Sequence, residues 1–127
     1  MTIKEVSEKY DISQDTLRYY ERIGMIPPVT RSESGIRNYT EKDLGWVELA
    51  KCMRSAGLPV EAMIEYVRLT QEGDITIPAR LKLLIEQRES LLEQKEKIDA
   101  TLERLNYKIG RYEIAAKTGK LTWEQEK

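Results

Sequence analysis

The chain has 127 residues, 40% of them hydrophobic and 34% charged, with a formal net charge of −1. That length suits one small domain plus an extended element, and the near-neutral balance leaves any nucleic-acid binding to a local patch, helix N-termini and dimerisation. With no histidine and a single cysteine, Cys52, the sequence excludes Ser-His-Asp and Cys-His catalysis, His-ligated zinc and a disulfide within the chain.

No apolar run approaches membrane-span length and no signal-peptide pattern opens the chain, so the expected setting is reduced and cytoplasmic, with no membrane partner. Neither a cofactor nor a metal is called for.

Thr2 and Glu5 stand at capping-box spacing, with Val6 on the same side as Ile3 and Tyr10, which predicts a short helix over about Ile3 to Tyr10. "DIS" then makes a tight turn, and Ser13 caps a second helix that ends at Gly24. Two short helices joined by three residues make a helix-turn-helix candidate. On the second helix, Arg18, Tyr19 and Arg22 share a face opposite Leu17, because successive residues advance by about 100°. Guanidinium groups around a phenol suit phosphates and base edges; the alternative is a solvated face carrying charge pairs. The stretch from Thr16 to Thr40 holds Arg18, Arg22, Arg31 and Arg37 against Glu21 and Glu33, a local cationic surplus.

Pro27 and Pro28 block helix, and Val29 to Arg31 and Ile36 to Tyr39 read as short strands around the turn-rich "SESG". Directly after a recognition helix, such a hairpin is a wing, with Arg31, Arg37 and Tyr39 available on it; the alternative is a plain connecting loop. Thr40 and Asp43 open a third helix through about Ala56, Gly57 stops it, and Pro59 starts a fourth that ends near Gly73. Trp46, Leu49, Ala50, Met53 and Ala56 lie on one side of the third helix and read as a core stripe. Cys52 falls at the edge of that stripe, near Gly45, Glu48 and Ala56, as either a packing residue or a reactive thiol.

From Thr76 onward the pattern changes. Ile77, Leu84, Leu91, Ile98, Leu105 and Tyr112 recur every seven residues, interleaved with Leu81, Arg88, Lys95, Leu102, Ile109 and Ala116. A helix of about 40 residues would be about 60 Å long, too long to bury on a small domain, so the heptads predict a coiled coil with a second copy. Arg88 and Lys95 in the seam penalise alternative registers, and Ile85 and Leu92 widen the stripe for something further to pack there. The expected organisation is a DNA-binding head over 1–73, a dimerisation helix over 74–117 and a short tail over 118–127.

"TLRYYERIGMI", the wing "RSESGIRNYT", the "GLPVEAM" helix start and the long C-terminal helix together resemble the MerR family of transcriptional regulators, in the right order over residues 1 to 116. Short length and one cysteine in the third helix are similar to the thiol-based, aldehyde-responsive AdhR and NmlR group. The resemblance implies a mainly α fold, a winged helix-turn-helix head followed by a long dimerisation helix in an antiparallel coiled coil. It also implies a homodimer on double-stranded promoter DNA that activates transcription by bending and untwisting an over-long spacer so that RNA polymerase can engage it. Carried over by motif, Arg18 and Tyr19 would reach the major groove, while Tyr20, Arg37 and Tyr39 would contact backbone or position the wing. Thr16 and Arg22 complete the expected DNA-binding set. The dimer seam would be Ile77, Leu81, Leu84, Leu91, Ile98, Leu102, Leu105, Ile109 and Tyr112.

The sequence departs from the family's metal-sensing branch, which needs cysteines at the end of the long helix, and from its drug-sensing branch, which carries a large effector domain. Any signal would then be received within the core chain, with Cys52 the expected sensor, or the regulator would be thiol-independent. A coiled-coil adaptor whose head binds protein is the competing class. An enzyme fits least, for lack of a paired-carboxylate site or a Gly-rich phosphate loop.

Overall fold

The computed structural model describes residues 1–123. Five α-helices and one 3-10 turn make up its regular structure: α1 (Ile3–Tyr10), α2 (Gln14–Ile23), α3 (Glu41–Ser55), α4 (Val60–Gln71), the 3-10 turn Asp74–Thr76, and α5 (Ile77–Thr118). The last four residues of the expected tail, 124–127, lie outside the described residues.

Local chemistry sets most of these boundaries. Thr2 and Glu5 form a complete capping box at α1: the Thr2 hydroxyl accepts from the Glu5 N–H at 3.1 Å, and the Glu5 carboxylate accepts from the Thr2 N–H at 2.9 Å. Asp11 ends the helix in the left-handed region, at φ 53°. Ser13 caps α2 through the Thr16 N–H, and Gly24 closes it at φ 83°, where a side chain would be strained. A second complete box, Thr40 with Asp43, opens α3.

Met1–Arg88 forms one compact unit. Its core gathers Val6, Leu17, Met25, Ile26, Val47 and Met63, with Tyr39 among them. The face that α3 turns inward overlaps the expected stripe at Ala50 but is rotated from it toward Leu44 and Val47. Leu44, Val47 and Ala50 are buried, whereas Trp46, Leu49 and Met53 pack at the margin and Ala56 is exposed. The helix is apolar on more than one side, so periodicity alone could not choose the buried face.

Inside the same unit the start of α5 is tied to the end of α4. Buried Thr76 donates to the Leu69 carbonyl at 2.6 Å and accepts from Arg80 Nε at 3.0 Å, while Arg80 also donates to the Gly73 carbonyl. The first turns of α5 therefore belong structurally with the head.

The second unit begins at Glu89 and holds the rest of α5 and the tail. None of the 42 residues of α5 is buried. Ile77, Leu81, Leu84, Ile98, Leu102, Leu105, Ile109 and Tyr112 are exposed and Leu91 is half-buried, so the heptad stripe stands largely open to solvent.

Candidate nucleic-acid interface

α2 is amphipathic in the sense its sequence predicts. Leu17 is fully buried, and Arg18, Tyr19 and Arg22 point to solvent. The Arg18 guanidinium reaches Asp15 at 3.0 Å and Gln14 at 3.4 Å, both on its own helix. An exposed pair of this kind contributes little stability, so the guanidinium can be recruited by a better acceptor. The Arg22 guanidinium stands 5.3 Å from the centre of the Tyr19 ring, a cation–π contact that orients both groups on the exposed face. Thr16 is half-buried, its hydroxyl accepting from Ser13 Oγ at 2.8 Å at the helix N-terminus.

The segment after α2 turns back on itself as expected, but with less strand than expected. A single antiparallel bridge joins Arg31 and Arg37, and the Val29–Arg31 and Ile36–Tyr39 pieces form no extended ladder. Ser32 N–H donates to the Ile36 carbonyl at 2.8 Å and Asn38 N–H to the Thr30 carbonyl at 2.7 Å. Gly35, at φ 83°, lets the tip reverse.

What holds this minimal wing is a carboxylate on α2. Glu21, only 11% exposed, accepts from the Val29 N–H at 2.7 Å, from Arg37 Nε at 2.8 Å and from Arg31 at 3.4 Å. Burial would push its pKa up, but the Val29 N–H and the Arg37 and Arg31 guanidinium groups outweigh that and hold the carboxyl below its ordinary 4.5. Asp43 acts similarly from α3, its Oδ2 accepting from the Thr40 N–H at 2.9 Å and the Thr30 N–H at 3.3 Å. Burial opposes its ionisation as well, and the Thr40 and Thr30 donors lower its pKa despite that. Along the chain Glu21 stands only as a charge against the cationic patch. Its partners lie eight to sixteen positions away, beyond any local motif.

Of the two roles the resemblance implies for Tyr39 and Arg37, contacting the DNA backbone or positioning the wing, both residues are placed for the second. Tyr39 is 2% exposed: its ring sits in the core beneath the wing and offers DNA no contact. Burial raises the pKa of its phenol, and Tyr39 Oη has no hydrogen-bond partner among the described residues. Arg37 is 23% exposed with its Nε committed to Glu21, so it pins the wing to α2. Tyr20 is half-buried against the core and lines an open cleft of about 510 Å³ with Thr16, Lys51 and Arg54 at the N-terminal end of α2. Asp11 and Ser13 also line that cleft; the Thr16 N–H there is already bonded to Ser13 Oγ at 3.0 Å, and Lys51 and Arg54 bring two cations to its wall. Lys51 and Arg54 were not among the expected contacts, because only the packing of α3 across α1 and α2 brings them there.

Cys52 is exposed on α3, not packed at the edge of the core. Its neighbours in sequence do not serve it: Lys51 Nζ donates to the Tyr10 carbonyl, and Arg54 donates to the Leu58 carbonyl at 2.7 Å. On a helical projection it shares its exposed face with Gly45, Glu48 and Ala56.

A family model described as the MerR HTH family of regulatory proteins matches residues 1–70. The transcriptional regulator AdhR of Bacillus subtilis is 52% identical over 93 residues, which are 73% of this chain and 66% of that one. An uncharacterised HTH-type transcriptional regulator of Haemophilus influenzae is 35% identical over 118 residues, 93% of this chain and 87% of that one. Among solved structures, HiNmlR, described as a MerR family regulator lacking the sensor domain and bound to promoter DNA, superposes with a TM-score of 0.84 at 34% identity, covering 94% of each chain. A MerR family regulator from Bacillus thuringiensis superposes with a TM-score of 0.78 at 29% identity, covering 88% of this chain and 98% of that one. The relatives are regulators, not enzymes.

Proposed function

Because the chain belongs to the MerR family of helix-turn-helix transcriptional regulators, we propose that it binds promoter DNA as a homodimer through the exposed face of α2 and activates transcription by distorting the promoter spacer. The observation that carries this is the α2 face itself: Arg18, Tyr19 and Arg22 stand exposed while Glu21, on the same helix, clamps the wing beside them. Arg18 and Tyr19 read base edges, and Arg22 with the cleft at Thr16, Tyr20, Lys51 and Arg54 meets phosphates. Arg31, held less tightly at 3.4 Å and exposed on the wing, is a better phosphate contact than Arg37.

The open heptad stripe supports pairing with a second copy, and its two cations favour the antiparallel arrangement. Side by side in parallel, Arg88 would face Arg88 and Lys95 would face Lys95 across the seam. In an antiparallel overlap of the whole run, the Ile77 series faces the Leu81 series. Arg88 then lies opposite Leu105 of the partner subunit, Lys95 opposite Ile98 of the partner subunit, and each cation can extend to the rim. Two heads on one rigid coil can bend and untwist the DNA between their half-sites without touching the central base pairs, and RNA polymerase responds to the altered spacer.

The signal, in this reading, is an electrophile at Cys52. Exposure admits the reagent, and the thiolate adds to an aldehyde carbonyl carbon while the carbonyl oxygen takes a proton, giving a reversible hemithioacetal. Within the head nothing packs tightly on this thiol, so the adduct acts through whatever the dimer lays against that face of α3. Footprinting and run-off transcription with and without aldehyde test the proposal. The parent should bind its operator in both conditions and activate more strongly with aldehyde, whereas Cys52→Ser should bind equally and lose the response. A Cys52→Ser protein that still responds would make the regulator thiol-independent. Failure of the parent to footprint any promoter would remove the proposal.

A further inference from the structure

At the end of α5 the chain reverses. Gly119, at φ 75°, donates its N–H to the Ala115 carbonyl at 2.7 Å and releases the tail from the helix. That single residue is sufficient to cap the helix, yet the following residues run back along it. Arg111 holds them, its Nε donating to the Thr122 carbonyl at 2.8 Å and its guanidinium to Thr122 Oγ1 at 2.7 Å. Trp123 is thereby laid over the last turns of α5. Its ring lies edge-on to Tyr112 at 5.8 Å, tilted to Tyr107 at 6.4 Å, and 5.0 Å from Lys108 Nζ.

Tyr112 is where the two features meet, since it is also a member of the exposed heptad stripe. A tail that served only its own helix would bury its largest apolar ring against it. Instead Trp123 remains 46% exposed, Tyr112 56%, and Leu121, two residues before Trp123, is exposed as well. The open apolar surface is thus continuous from Ile109 and Tyr112 of the stripe onto the tail. In the antiparallel overlap, Tyr112 lies opposite Leu81 of the partner subunit, at the start of the partner's α5. In this chain Ile77 and Leu81, the residues at that start, are themselves exposed.

We infer that residues 119–123 are a second dimerisation element: a clip that places Trp123 and Leu121 beside Tyr112 to grip the first turns of α5 of a second copy. The inference rests on the homodimer reading above. Each dimer would carry two such clips, one at either end of the coil, where heptad packing otherwise frays. The aromatic anchor in a partly open, rigidly held position is the type of residue that concentrates binding energy at an interface.

Trp123 becomes the sole tryptophan in Trp46→Phe, because the chain has two. Across a dilution series in which sedimentation follows monomer and dimer, Trp123 emission should shift to the blue and its acrylamide quenching should fall as the dimer forms. In the otherwise unaltered chain, Trp123→Ala with Leu121→Ala should raise the dimer dissociation constant about ten- to thirty-fold. Trp123→Phe should restore most of the loss. A Trp46→Phe chain that dimerises while Trp123 is quenched equally at all concentrations, with a parent dissociation constant that ignores the tail substitutions, overturns the clip and leaves the coil intact. A parent that stays monomeric throughout overturns the dimer reading, and the clip with it.

Discussion

Glu21→Gln tests the junction between α2 and the wing with the smallest possible change of shape. The amide oxygen can still accept from the Val29 N–H, now at 2.7 Å, but the charge that holds Arg37 at 2.8 Å and Arg31 at 3.4 Å is gone. The Arg37 bond is charge-assisted and mostly shielded, in the range of about 1.5–3 kcal/mol. The Arg31 contact is long and 44% exposed, so it adds no more than a few tenths of about 1 kcal/mol. The expected destabilisation is therefore about 2 kcal/mol, and for a head of this size about 8–16 °C in melting temperature.

The pH dependence follows from the lowered pKa of Glu21. A carboxylate held below 4.5 in the folded state stabilises the fold fully at pH values well above 4.5 and loses that contribution as pH falls through the folded value. The melting-temperature gap between parent and Glu21→Gln should be flat near neutrality and close below about pH 4.5. Arg37→Ala should destabilise by a similar amount, and the double variant should cost much less than the sum, because both singles remove the same bond. Anisotropy on operator DNA across a salt series completes the test. If Glu21→Gln melts with the parent and Arg37→Ala lowers the salt slope by about one, Arg37 is a phosphate contact and the clamp is wrong.

Arg18→Ala and Tyr19→Ala should each weaken operator binding by about 1–3 kcal/mol while melting with the parent, as measured by anisotropy against matched and scrambled DNA; equal affinity in both variants would make α2 a solvated face. Tyr39→Phe should leave operator affinity unchanged and hold or raise the melting temperature, since it removes a buried hydroxyl that has no partner among the described residues. Lost affinity with an intact fold would return Tyr39 to the DNA surface. Replacing Leu102 and Leu105 with Glu should put charge into the coil and yield monomers by sedimentation at micromolar concentration, and dimers of undiminished stability would refute the seam.

Much of the fold was legible because its rules act within four residues. Thr2 with Glu5, Thr40 with Asp43, and Gly24 after Ile23 each satisfy helix-end groups locally, and each lies where spacing predicts. Leu17 opposite Arg18 and Tyr19 is a consequence of helical geometry alone. The heptad run on α5 is likewise a repeat that any reader of the chain can count, and it remains exposed in the single copy because one helix cannot cover its own stripe.

Spacing along the chain was thus enough for the helices, the cationic face of α2 and the open heptad stripe of α5. Tertiary structure alone decided which side chains around them are available. Tyr39 and Arg37 alternate on one short hairpin, and nothing local says which will be drawn into the core and which to Glu21, sixteen residues earlier. α3 is apolar on more than one side, so its packing against α1, α2 and α4 chose the face that buries Val47 and leaves Cys52 in solvent. Caps and periodicity are set by neighbours along the chain. Burial is set by what the rest of the chain brings alongside, and that information is non-local.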